Sequence, residues 1–163
     1  MLKILSMEQW LAVGKEIHAR FGLNPSINDA QGRPLVANTV WANELCPAIR
    51  GGGDGAAEVC LEAGRHFARV LRETGKPMIE ECGAGMLRIA VPVVVDDLFM
   101  GSLGGCGKVC DGGEVDEFMI RKATGLSMDD IRGRAGSVAS ITWGDADEIV
   151  DYLEERVRAL PGN

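Results

Sequence analysis

Along the first twenty-one residues, Trp10, Gly14, Ile17 and Phe21 recur every three or four positions, the period of one face of an α-helix. The spacing predicts a helix from about Ser6 to Phe21, opened by a capping box between Ser6 and Gln9. His18 stands beside that face and reads as a half-buried packing residue. The pattern then shortens. In "SINDAQGRPLVAN" the apolar Ile27, Leu35 and Val36 flank Asp29 and Gly32, predicting two short strands joined by a turn. A second helix is expected from about Gly55 to Thr74. Ala57, Cys60, Leu61, Gly64, Phe67, Ala68 and Leu71 share its inner face, Glu62, His66, Arg69 and Glu73 the outer one, and Gly75 ends it. The preceding "GGGDGAA" (51–57) has no Gly-Lys-Ser/Thr after it, so it reads as a loop with Asp54 as N-cap and not as a phosphate cradle.

Three strand-like segments follow, Pro77 to Cys82, Met86 to Val95 and Leu98 to about Lys108. "VVVDDLFMG" predicts a tight hairpin with Asp96 and Asp97 at its tip. "ECGAGM" predicts a second turn in which Gly83 and Gly85 supply positive φ. The three are expected to form a consecutive antiparallel meander. Two shorter helices, about Gly113 to Ala123 and Ser127 to Gly133, precede a last one from about Asp145 to Leu160. There Trp143, Ala146, Val150, Leu153, Val157 and Leu160 make a heptad-like seam. Such a seam suits either pairing with a second copy or packing on the chain's own domain. The whole reads as one mixed α/β (α+β) domain over 1–163: a core of about 7–142 with a small antiparallel sheet flanked by helices, and the last helix as a possible dimerisation element.

Composition narrows the function. The chain has 163 residues, 46% of them hydrophobic and 25% charged, enough for one domain with a true core. A net charge of −7 without any cluster of Lys and Arg argues against nucleic acid or an anionic membrane as partner. The N-terminal "MLKILSMEQW" is too short for a signal-peptide core, and the apolar run from Ile89 to Val95 is of strand length. A cytoplasmic protein is expected. Of catalytic constellations there is no sign: no Ser elbow, no nucleotide fingerprint, and neither of the two histidines is on an evident site where it could pair with a thiol.

The chemistry that remains is in the five cysteines, at 46, 60, 82, 106 and 110. In a chain without an export signal they are expected to be reduced thiols or ligands. No pair has Cys-x-x-Cys spacing, and the Cys-x3-Cys of Cys106 and Cys110 is weak alone. Cys46, Cys60, Cys82 and Cys106 lie on separate elements that could converge at one end of a pocket between helix and sheet. Converging thiolates would suit an iron–sulfur cluster or a tetrahedral zinc, with Cys110 as a spare ligand. The alternatives are that each thiol is packed as a small hydrophobe, or that the cysteines are reactive, in a metal- or redox-handling protein.

Taken together, "FGLNPSINDAQGRPL", the cysteines at 46 and 60, and "GKPMIEECGAGMLRIAVPVVVDDLFMGSLGG" (75–105) resemble the PocR-type sensory domain, a PAS-like ligand-binding module of bacterial regulators. The likeness runs from about Met7 to Leu160 and includes the closing "GLSMDDIRGRAGSVASITWGDADEIVDYL". Cys46, Cys60 and Cys82 match cysteines that recur in that family. The resemblance implies a sensory, non-enzymatic domain whose pocket takes a small hydrocarbon-type compound such as propanediol. It also implies signalling through flanking helices to a downstream protein or output region. For an organic ligand the expected lining is Trp41, Cys46, Cys60, Cys82, Ala84, Met86 and Cys106. At "GGCGKVC" the chain departs from the family, adding thiols at the expected pocket end.

Overall fold

The structure, a computed structural model, describes residues 1–161. Helix α1 (Met7–Phe21) starts at the expected capping box: the Ser6 hydroxyl accepts from the Gln9 backbone N–H at 3.2 Å and the Gln9 side chain accepts from the Ser6 backbone N–H at 2.8 Å. Strand β1 (Asn24–Asp29) follows, then α2 (Leu45–Gly51) and a π-helical stretch (Ala56–Leu61) that runs directly into α3 (Glu62–Thr74). Strands β2 (Met78–Glu81), β3 (Leu87–Val95) and β4 (Leu98–Cys110) come next. The chain continues through α4 (Glu117–Thr124), α5 (Met128–Ala135), β5 (Ser140–Ile141) and α6 (Trp143–Arg158).

The sheet order is β1-β4-β3-β2, all antiparallel, and β5 pairs in parallel with the end of β4. The β2–β3–β4 meander is as expected. Its hairpin closes Val95 against Leu98, with Asp96 and Asp97 both at positive φ (50° and 62°), the geometry that a two-residue turn requires to follow the strand twist.

Side chains alternate across the sheet. Ile27, Ile89, Val91, Val93 and Leu103 face one way and form the larger core with Trp10, Val13 and Ile17 of α1 and with Ala146, Ile149, Leu153 and Val157 of α6. Burial of each large apolar side chain stabilises this layer by roughly 1.5–3 kcal/mol. The other face carries Asn24, Ser26, Asn28, Arg88, Ser102 and Cys106, and lies on the side of α2 and α3. Asn24, Ser26, Asn28, Arg88 and Ser102 are all buried, so the polar row is internal.

Several expectations are corrected. Residues 33–36 turn back along the free edge of β1, as expected, but make only one bridge, Asn28 with Pro34, and two backbone hydrogen bonds, Leu35 N–H to the Ile27 carbonyl and Asp29 N–H to the Arg33 carbonyl, so they form no full second strand. The helix expected from Gly55 begins as a π-helix, and the extra residue per turn changes which side chains face inward. Val59 is buried and Ala57 exposed, the reverse of a continuous α-helical phase. Asp54 makes no side-chain cap; its backbone N–H instead donates to the Ala123 carbonyl at 2.9 Å, tying the glycine-rich loop to α4. At the "ECGAGM" turn only Gly85 has positive φ. Of the two arrangements that the α6 seam suits, packing on the chain's own sheet is the one seen within the chain, with Ala146 and Leu153 fully buried and Trp143 exposed. The short β5 carries no sequence signal and was not anticipated.

Candidate functional site

One cavity lies between the polar face of the sheet and the α2–π-helix–α3 layer. The sheet contributes Asn24, Ser26, Arg88 and Cys106. The helical side contributes Cys46, Ile49, Arg50, Val59, Cys60 and Ala63, and Trp41, Cys82 and Met86 close the ends. The unfilled space between lining atoms is about 690 Å³ with the mouth included, and about 50 Å³ is open to the centre of a water molecule. The interior thus has room for a few waters or a small organic molecule.

Local structure fixes these positions. Asn24, Cys106 and Arg88 form one row across β1, β4 and β3, so their side chains leave the sheet on the same side. The Asn24 amide nitrogen lies 3.9 Å from the Cys106 sulfur, and its Oδ1 accepts from the Ala42 N–H at 2.6 Å. Asn43 donates to the Gly107 carbonyl at 2.7 Å and accepts from the Cys46 N–H at 2.8 Å. These two asparagines seat the segment bearing Trp41 and Cys46 on the sheet. Cys46 Sγ then lies 3.8 Å from Met86 Sδ.

The expected convergence of thiols is largely present. Cys46, Cys60, Cys82 and Cys106 all line the cavity, as do Trp41 and Met86. Cys110 does not: it is buried in the core beneath α1 and α6, on the other side of the sheet. Ala84 is fully buried beside the cavity without lining it, its carbonyl accepting from the Asp116 N–H at 3.0 Å. Burial pushes the Cys46 thiol up to about 12 and Cys106 to about 11, and raises Cys82 as well. Those thiols are protonated at neutral pH. Among the described residues, no three His, Cys, Asp or Glu side chains stand together closely enough to hold a metal ion. As placed, the thiols share a cavity without forming a ligand set.

Arg88 is the site residue that reasoning from sequence missed. It is 6% exposed, with its guanidinium across the Phe67 ring at 5.2 Å. Nη2 donates to Ser26 Oγ at 2.9 Å and Nη1 reaches the Cys60 carbonyl at 3.4 Å, while Nε has no partner. The signal was there to find: Arg88 is the one charged residue between Met86 and Val95, where a solvated side chain has no place. Asn24, Ser26 and Arg50 were missed as well. The π-helix that brings Val59 and Cys60 to the cavity has no sequence signature.

The model of the sensory domain found in PocR matches residues 3–160 of the chain. No curated protein and no solved structure matches it. The expected resemblance is thereby borne out across nearly the whole sequence: the chain belongs to the family of PocR sensory domains.

Proposed function

We propose that the domain senses a small organic molecule bound in the cavity between the polar sheet face and the α2–π-helix–α3 layer. The observation that carries this is the cavity itself, a narrow internal space in which apolar Ile49, Val59 and Met86 face buried polar Asn24, Ser26 and Arg88. Mostly apolar walls with a few fixed polar groups are what small-ligand sites consist of. The domain's role is binding and not catalysis, and the bound state is relayed through α1 and α6 to a downstream partner. A cytoplasmic setting accords with five free cysteines among the described residues. No helix there is long and apolar enough to cross a membrane.

The test is a thermal-shift screen of two- to five-carbon alcohols, diols, acids, amides and amines against the purified chain. At least one class raises the melting temperature and slows alkylation of Cys46 and Cys106. Ala63→Phe, which fills the cavity from α3, abolishes both effects while the protein stays folded. No response to any class overturns the reading.

A second reading, a cysteine-ligated iron–sulfur or zinc centre, draws on the four thiols around one space. It requires them to close on each other by rearrangement of α2 and the π-helix. Absorbance near 400 nm and elemental analysis of anaerobically prepared protein decide it, and colourless, metal-free protein eliminates it.

A further inference from the structure

Resting on the reading of the cavity as a small-molecule site, we propose that its ligand is an organic anion, a short-chain carboxylate whose head group is held by Arg88. The cavity lining contains two arginines, Arg88 and Arg50, and no Asp, Glu, Lys or His. This stands out in a chain with 24 acidic against 17 basic residues: the molecule is negative and the charged side chains lining this cavity are positive.

Arg88 is the stronger of the two. Among the described residues no carboxylate forms an ion pair with it or with Arg50. A buried charge is otherwise paired, because desolvation without a counter-charge costs several kcal/mol. Cys46, Cys82 and Cys106 do not supply that charge, since burial keeps these thiols protonated. A guanidinium does not escape by giving up its proton. It has five N–H donors, and here one bond goes to Ser26 and a long one to the Cys60 carbonyl, leaving Nε unsatisfied in the interior. The guanidinium carbon lies 5.2 Å from the centre of the Phe67 ring, and the N–H groups that Ser26 and the Cys60 carbonyl leave free are what Arg88 has to offer a ligand. A carboxylate meets a guanidinium edge with two parallel hydrogen bonds.

The rest of the lining selects the remainder of the molecule. Ile49, Val59 and Met86 give an apolar wall, which suits a hydrocarbon tail and disfavours a bare inorganic anion. The narrow interior limits that tail to a few carbons. Arg50, half-exposed and lying over the Trp41 ring at 5.5 Å, adds positive charge at the rim that draws an anion in.

Titration calorimetry on the full chain compares acetate, propionate, butyrate and lactate with their neutral counterparts propionamide and propane-1,2-diol, and with inorganic phosphate. Propionate and propionamide share shape and differ in charge, so this pair needs no variant. The expected result is that a carboxylate binds at least about tenfold more tightly than its amide, as loss of a charge-assisted hydrogen bond requires. Arg88→Gln should lose that preference. Arg50→Gln at the rim, which leaves the interior intact, should weaken carboxylate binding several-fold and leave amide binding unchanged. Amide or diol binding as tight as carboxylate binding overturns the inference while the cavity remains a ligand site. Phosphate binding more tightly than every carboxylate overturns the carboxylate assignment. Absence of binding by every probe, with the thermal screen also silent, overturns both.

Discussion

Cys46 and Cys106 show how much of a residue's chemistry comes from the element it is mounted on. Their thiols sit against the cavity, and burial raises them to about 12 and about 11 from an ordinary value of 9.0. In the unfolded chain both would ionise near pH 9, so the native state binds more protons than the unfolded one between about pH 9 and 11–12. Stability from this source is therefore complete below pH 9 and is lost as pH rises through the folded values. Urea unfolding at pH 8.0 and pH 10.5 should show a clear fall for the wild type, and a smaller fall for Cys46→Ala and Cys106→Ala. Equal falls in all three proteins would place the alkaline sensitivity elsewhere. By the same chemistry, iodoacetamide should label these thiols slowly at pH 7.5 in the folded protein and rapidly in urea, because the thiolate is the nucleophile.

At the scale of elements, local signals were legible and long-range ones were not. The Ser6 capping box, the Asp96–Asp97 hairpin and the stop at Gly75 each depend on a few neighbouring residues, and each stands where the residues indicate. The pairing of β1 with β4 depends on residues more than seventy positions apart, and nothing within either strand specifies it. The cavity was legible in part for the same reason. Four cysteines pointed to one space, but the polar row of Asn24, Ser26 and Arg88 becomes a row only once the register is set. Cys110 was grouped with Cys106 through their proximity in sequence, although β4 carries the two thiols into different layers.

Gly64 is an element-scale feature with a sharp consequence. It lies in α3, where glycine is usually unfavourable by about 1 kcal/mol, yet its helix meets the turn after β1 at Gly32, backbone against backbone. A Cβ on Gly64 would collide with the Gly32 carbonyl, and one on Gly32 with that of Gly64. Gly64→Ala should therefore lower stability by about 1–3 kcal/mol despite the better helix propensity. Gly133, in α5, has open space around its Cβ position and no positive φ. Gly133→Ala should raise stability by about 0.5–1 kcal/mol. Urea midpoints measure both, and opposite signs are the expected result. A Gly64→Ala protein as stable as the wild type or more so would mean that α3 does not need the glycine contact, and a destabilised Gly133→Ala would count against the open space around that position.

For the whole molecule, the two faces of one sheet separate the cavity from the core under α1 and α6. The cavity side of β1, β3 and β4 presents Asn24, Ser26, Arg88 and Cys106, and the next residues along those strands, Ile27 and Ile89 among them, belong to the core under α1 and α6. A shift of a strand in response to cavity occupancy moves both sets together, since packed interiors transmit displacement and do not absorb it. Leu153 anchors α6 to this layer with no exposed surface. Leu153→Ala should accordingly cost about 2–5 kcal/mol, measured by urea unfolding, and its effect should fall on the fold and not on association. The relay itself is testable without knowing the ligand. Ala63→Phe occupies the cavity permanently, whereas Ala57→Phe adds the same ring at an exposed position of the π-helix. Hydrogen exchange should change in α2, in the π-helix and also in α6 for Ala63→Phe, and in α6 not at all for Ala57→Phe. Exchange altered only on the cavity side would show that the sheet insulates the helices from the site, leaving α2 and the π-helix to carry the output.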